Sequence, residues 1–294
     1  MISRSTMRAR REELRGLLFA TPSWVWLLAF VLAPLGIMVA HSLFGIERFR
    51  LGRSLTLDNY RLLFETNLFL RLFVKTMAVA TATTLLCLIA GYLPAYYLAF
   101  RPGRRTQILL SLLLLPYVVG YIPRILALRM ILGVEGLINQ LLLGLHLIGE
   151  PMTGLLFSNL ATVIGLTYVQ LPVMIILLYI SLEQIAPSLL EASQDLGASR
   201  LYTFWNVVVP LSRTGMLNGV LLVFLSSMGA YVEPALLGGA DGQLLGNIIA
   251  QRFIVFMDMA RGSAMALLTV LVMLLLGLVT VNVAGWRRSH AKHA

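Results

Sequence analysis

A single cysteine, Cys87, occurs among the 294 residues, so the chain can close no internal disulfide and supply no thiolate cluster for a metal. Lysine is almost as scarce: Lys75, in FVKTM, and Lys292, in HAKHA, are the only two. A phosphate-binding P-loop needs a glycine-rich turn ending in Gly-Lys-Ser/Thr, and neither lysine stands in one, so no ATP is bound through that motif. Of the four histidines, His41, His146, His290 and His293, no pair has helical metal-ligand spacing beside carboxylates, and His290 and His293 belong to a basic tail. The apolar runs offer neither a nucleophile with a base nor His and Asp ligands, which argues against a multi-pass membrane enzyme such as a lipid-modifying transferase or an intramembrane protease. Charged residues make up only 12% of the chain.

What the chain has in abundance is apolar surface: 59% of residues are hydrophobic and the mean hydropathy is +0.85. That composition is far from soluble usage and indicates an all-α polytopic membrane protein. A bilayer core of about 30 Å takes about 20 apolar residues per helix. Six segments satisfy that length, 17–44, 76–100, 108–132, 156–182, 214–237 and 264–286, and together they form a single transmembrane domain. The basic flank Arg8, Arg10, Arg11 and Arg15 imitates a secretory signal, but the apolar run after it continues from Trp24 to Phe44, so an uncleaved first span is expected. Pro34, Pro94, Pro116, Pro172 and Pro234 fall inside or near the ends of spans, where bends around a cavity are expected.

The net charge of +10 reads as arginine anchoring of cytoplasmic loops, not as a nucleic-acid surface. With both termini inside, the cytoplasmic pieces hold the N-terminal arm, Arg101, Arg104, Arg105, Arg200, Arg213, Arg287, Arg288 and Lys292. Opposite them stand Arg48, Arg50, Arg53, Arg61, Arg71, Arg252 and Arg261, a smaller set. Loop 183–213 is therefore expected in the cytoplasm. Loop 133–157, without Lys or Arg, contains GLINQLLLGLHLIG, which suits a short amphipathic helix at the outer interface.

Loop 183–213 is long enough to carry structure of its own. Pro187, Ser188 and Glu191 suit a helix start with a capping box, and Leu189, Ala192, Ser193 and Leu196 share one face. Gly197 is placed to end that helix in a left-handed cap, and Ser199 to begin a second one toward Trp205. Glu191, Ala192 and Ser193, then Gly197 after three residues, then Val207, Val209 and Pro210 after nine more, resemble the EAA signature of permease subunits in binding-protein-dependent ABC importers. Ser193 replaces the second alanine of that signature, and valines stand at its Ile and Leu positions; the spacing is intact. The resemblance runs from about residue 60 to 283, and GLTYVQLPVMIILLYISLEQIAPSLLEASQDLGAS and MGAYVEPALLGGADGQLLGNIIAQRF look like the corresponding parts of spermidine/putrescine-type permeases.

The resemblance implies a type I ABC importer transmembrane domain in the bacterial inner membrane that carries solute by alternating access. It implies a cytoplasmic ATPase dimer holding ATP and Mg, a second permease subunit and a periplasmic or extracellular solute-binding protein, with lipid around the spans and no cofactor or metal on this chain. Glu191, Ala192, Ser193, Asp195, Gly197 and Pro210 are then the ATPase-coupling residues. A polyamine is the expected solute, another small organic or inorganic solute the alternative.

Polar groups inside spans cost about 2.5 to 3.5 kcal/mol at mid-membrane and so mark cavities. Glu233, beside Tyr231, suits a cationic ligand by charge and cation–π contact; an ion pair with Arg124 is the competing role. Tyr117, Tyr121, Tyr168 and Gln170 complete the pathway candidates, while Lys75 and Arg129 are placed to snorkel from span ends. Gly215 and Gly219 permit a close helix contact.

Overall fold

The computed structural model describes residues 4–47, 50–101 and 103–290; side chains are described from Thr21 onward except for residues 45–54, 279 and 281–290. Arg48, Lys292 and His293 lie outside the described residues. Contacts divide the chain into two units, residues 1–65 with 252–269, and residues 66–251 with 270–294.

In the first unit, α1 (Arg4–Leu43) is followed by an antiparallel hairpin of β1 (Phe44–Glu47) and β2 (Arg50–Leu55) and by α2 (Asp58–Glu65). Apart from this hairpin the described elements are helical, in agreement with the all-α expectation. Asn59 of α2 is buried and donates to the carbonyls of Ser42 and Phe44, each at 2.9 Å, which satisfies the end of α1 where its own ladder runs out. The side chains of α1 from Trp24 to Leu32 stand exposed, as a membrane-facing helix requires.

The second unit is built on three helices, α3 (Leu68–Phe100), α7 (Asn159–Glu183) and α11 (Arg213–Met228). Between α3 and α7 run α4 (Arg104–Val118), α5 (Tyr121–Leu132) and α6 (Leu137–Gly144), the last within the stretch expected to form an interfacial helix. Between α7 and α11 come α8 (Pro187–Asp195), α9 (Arg200–Thr203), a π-helical turn Phe204–Val208 and α10 (Val209–Leu211). After α11 follow α12 (Val232–Leu237), α13 (Leu245–Ile254) and α14 (Met259–His290), of which residues 252–254 and 259–269 belong to the first unit. Ser158 starts α7 by accepting from the Ala161 amide at 3.1 Å. The core joins Cys87 and Tyr92 of α3 to Met174 and Leu178 of α7 and Val223 of α11. Cys87 is fully buried there, its thiol 3.8 Å from the Thr167 carbonyl.

Small residues set the closeness of that core. A Cβ on Gly215 would lie 2.1 Å from Ser181 Cβ, and one on Gly219 2.7 Å from Met174 Sδ, so α11 meets α7 nearly backbone to backbone.

Among the described residues, five helical stretches are long and apolar enough to cross a membrane: Thr21–Leu43, Leu68–Phe100, Tyr121–Gly144, Asn159–Glu183 and Met259–Leu278. The pair Arg200–Leu211 and Arg213–Met228, bent by 65°, makes a sixth only if it is counted as one span. Two expected spans are corrected. Segment 108–132 breaks at Val119 and Gly120 into α4 and α5, because Pro116 and Pro123 flank the glycine and Val119 turns to extended backbone. Segment 214–237 breaks after Met228: Gly229 caps α11, and the chain turns through Ala230 and Tyr231 into α12.

Candidate functional site

The break after α11 opens a cavity of about 340 Å³, lined by Tyr121, Gln170, Ser226, Tyr231 and Glu233 together with apolar wall. Tyr121 comes from the first turn of α5, Gln170 from the middle of α7, Ser226 from the end of α11, and Tyr231 and Glu233 from the break and the start of α12. Two packing features hold the break in shape: Asn247 donates to the Tyr231 carbonyl at 2.9 Å, and Gly246 lies so close to the Ala230 carbonyl that a Cβ would stand 2.4 Å from it. The Gln170 amide donates to Ser226 Oγ, fixing one polar wall.

Glu233 is 2% exposed and its Oε2 has no hydrogen-bond partner within the protein. The ion pair with Arg124 that the sequence admits is not formed. Arg124, also buried, instead lays its guanidinium over the rings of Tyr117, at 4.9 Å, and Tyr121, at 5.8 Å. Tyr121 thus stands between a buried cation and the Glu233 carboxyl, with which its own hydroxyl interacts. The Tyr117 hydroxyl donates to the Val169 carbonyl at 3.0 Å, which makes it a support behind the cavity and not part of its lining. Tyr168 is absent from the lining and points outward. Four of the seven pathway candidates therefore meet at one cavity, two stand behind it, and one is elsewhere. Ser226 was not legible as a member, because a serine in an apolar run carries little signal; its i+7 relation to Gly219, on the face of α11 that meets α7, is the clue available.

Two other cations find partners. Lys75, in the second turn of α3, does not snorkel free but donates to the Asp241 carbonyl. Arg129 lies 5.2 Å from the Phe157 ring centroid.

The polar loop between α7 and α11 is the second feature. Helix α8 starts at Pro187 with Ala186 as N-cap, and no side chain caps it, so the capping box of Ser188 and Glu191 is not formed. At its other end Gly197 adopts φ +84°, the Gly197 amide donates to the Gln194 carbonyl at 2.8 Å and the Ala198 amide to the Ser193 carbonyl at 3.1 Å. That is a complete Schellman motif, and it depends on a residue free to take left-handed backbone. Ser199 then caps α9 by accepting from the Tyr202 amide at 3.2 Å. Ser193, at the second alanine position of the signature, shares a 2.9 Å hydroxyl hydrogen bond with Thr203 and so ties α8 to α9.

Beyond α9 the helical register widens, the Val209 amide bonding the Phe204 carbonyl five residues back, just ahead of Pro210, whose ring and missing N–H do not continue an α-helical ladder. Helix α8 buries no residue: Glu191 and Asp195 enter no ion pair, and Leu196 is 88% exposed. Helix α8 thus leaves one whole face open, with acidic groups beside small residues.

Comparisons with known proteins bear on the chain as a whole. Residues 88–287 match the family described as binding-protein-dependent transport system inner membrane component. The chain is 36% identical over 265 residues to the spermidine/putrescine transport system permease protein PotB of Escherichia coli (strain K12), covering 90% of this chain and 94% of that protein. It is 30% identical over 233 residues to the inner membrane ABC transporter permease protein YdcU of the same organism, covering 76% of this chain and 74% of the other. Among solved structures, it is similar to a bacterial ABC transporter involved in the import of the acidic polysaccharide alginate, with a TM-score of 0.67 at 16% identity over 97% of this chain and 99% of that one. It is also similar to the MetNI methionine ABC transporter in inward-facing conformations, with a TM-score of 0.57 at 17% identity over 74% of this chain and 95% of the other. At those identities the structural likeness speaks for the fold.

Proposed function

The chain belongs to the binding-protein-dependent transport system inner membrane components and is a permease subunit of an ABC importer, not an enzyme; from that premise we propose that it carries a polyamine of the spermidine/putrescine kind past Glu233. The observation that carries this reading is the buried Glu233, whose Oε2 has no hydrogen-bond partner, in a cavity edged by Tyr121 and Tyr231. An unsatisfied carboxylate costs stability until a cation meets it, and two tyrosine rings add attraction for an ammonium group. The relatedness to PotB supports the same solute class.

The remaining parts of the machine belong to the same proposal. Helix α8 docks on a cytoplasmic ATPase dimer that holds the ATP and Mg; Glu191 and Asp195 meet basic or polar groups there, Ala192 and Ser193 allow close approach, and Gly197 and Pro210 fix the turn and the exit. A second permease subunit completes the pathway, a soluble receptor delivers the solute from outside, and both termini lie in the cytoplasm. Closure of the ATPases on ATP moves α8 as a rigid body and rocks the helices between inward- and outward-facing arrangements.

Replacing Glu233 with Gln preserves size and removes the charge. With the complete importer in proteoliposomes, Glu233→Gln is expected to cut spermidine or putrescine uptake about tenfold or more, since losing one partner of a buried charge pair costs roughly 2–5 kcal/mol. Unchanged uptake by that variant sinks the role of Glu233. A solute with one cationic group is the second reading, favoured because Glu233 is the single carboxylate in the lining; inhibition of uptake by a simple monoamine as strong as by putrescine would select it.

A further inference from the structure

The polar loop has two feet: α7 leaves the bundle at Glu183, and α11 re-enters it at Arg213. Hydroxyl groups join these feet. Ser181 Oγ, on the last turn of α7, accepts from the Gly215 amide at 3.2 Å and donates to the Ser212 carbonyl at 3.4 Å. Gly215 stands in the first turn of α11, where amides have no partner in their own helix, so a serine from the neighbouring helix does the work of an N-cap. Ser212 occupies the 65° bend itself and is fully buried. Its hydroxyl donates back to the Val209 carbonyl at 3.2 Å, which leaves it to accept from the Tyr92 hydroxyl at 2.8 Å. Tyr92 is buried on α3, and its ring meets Phe204 of the π-helical turn edge-on, 5.4 Å between centroids. Tyr92 therefore touches the loop twice, by its ring before the bend and by its hydroxyl at the bend.

The surroundings allow little slip. Gly215 and Gly219 bring α11 against α7 so closely that a Cβ at either position would collide, and Tyr92 is buried in the core cluster shared by the three helices. Motion applied to α8 reaches α7 directly through residues 184–186, and reaches α11 and α3 through the bend.

We propose that Tyr92, Ser181 and Ser212 form a buried hydroxyl joint that locks the two feet of the loop to α3, and that these three act as positioning residues through which displacement of α8 becomes rotation of the bundle. This rests on the permease reading and on α8 as the ATPase contact. With the joint intact, the loop and the three core helices move as one body; with it cut, α8 can follow the ATPase while the bundle lags, and ATP is hydrolysed without transport.

The test compares the wild-type importer, with its partner permease, ATPase and receptor, against Tyr92→Phe, Ser212→Ala and the double variant, reading solute uptake per ATP hydrolysed. Tyr92→Phe keeps the ring and its contact with Phe204, so assembly is retained; Ser181→Ala serves as an independent third cut. Each single variant is expected to lower uptake per ATP about threefold to tenfold, the ratio one neutral hydrogen bond is worth, with hydrolysis sustained. The double variant is expected to lose no more than the worse single, because both cuts open the same bond. An unchanged ratio in all three single variants, uptake and hydrolysis falling in proportion, or losses that multiply in the double variant would each overturn the joint. Uptake by the wild type without ATP would instead overturn the permease reading.

Discussion

Gly197 shows how much one backbone angle can carry. Its φ of +84° closes the Schellman motif that ends α8, and a Cβ there would meet no atom within 4 Å. A substitution is therefore penalised by conformation alone, about 1–2 kcal/mol for an L-residue held left-handed and more with β-branching. Gly197→Val is expected to leave the importer assembled while lowering uptake about fivefold or more, with ATP hydrolysis less affected, because the face offered to the ATPase is re-aimed without being removed. Parallel uptake and hydrolysis assays on the reconstituted importer check this, and undiminished transport counts against a coupling role for α8. The same residue scale marks where sequence reasoning ran out. The spacing of Glu191, Gly197 and Pro210 was legible because a motif of fixed offsets is a one-dimensional object. Whether Arg124 pairs with Glu233 was not: both residues are visible in the chain, but the choice is made by Tyr117 and Tyr121, which take up the guanidinium face.

Between elements, the seam of α11 and α7 separates two kinds of close contact. The position of Gly215 faces Ser181 Cβ, one bond from backbone, at 2.1 Å, while that of Gly219 faces the thioether of Met174 at 2.7 Å, the far part of a flexible side chain. Alanine is favoured over glycine in a helix by about 1 kcal/mol, so any loss must come from the contact. Gly215→Ala is expected to destabilise by about 1–3 kcal/mol net, as overpacking does, and to take the Ser181 hydrogen bond with it; Gly219→Ala should be near neutral as Met174 shifts. Thermal unfolding of the purified subunit reads the difference, and equal midpoints for the two variants would contradict the seam. Apolar length located the helical matter of this protein well, and the Gly-x-x-x-Gly pair was readable. Bends near Pro116 and Pro234 were expected, but the full breaks at Gly120 and Gly229 were not readable, since hydropathy averages over a window and cannot register a turn of two or three residues inside it. Yet the second break is what creates the cavity, so the feature that matters most for a solute is the one that periodicity hides.

For the whole molecule, the arginine distribution argues orientation from asymmetry, while the folded chain supplies places to measure it. Cys87 is the sole cysteine and is fully buried, so replacing it with Ala leaves a background free of thiols. Leu196, 88% exposed beside Gly197, and Leu147, 68% exposed after α6, lie in loops that the charge pattern assigns to opposite faces. Cysteine at 196 is expected to react with a membrane-impermeant maleimide only when the inner face is presented, and cysteine at 147 only from the outer face. Adding the partner ATPase should protect position 196 and leave 147 untouched, because Leu196 is exposed among the described residues. Labelling of 196 from outside would invert the topology and remove the loop from the reach of any cytoplasmic ATPase. Reaction at 196 that is indifferent to the ATPase would keep the topology and deny the contact. The two positions together therefore separate where the loop lies from what it touches, which the charge pattern alone leaves joined.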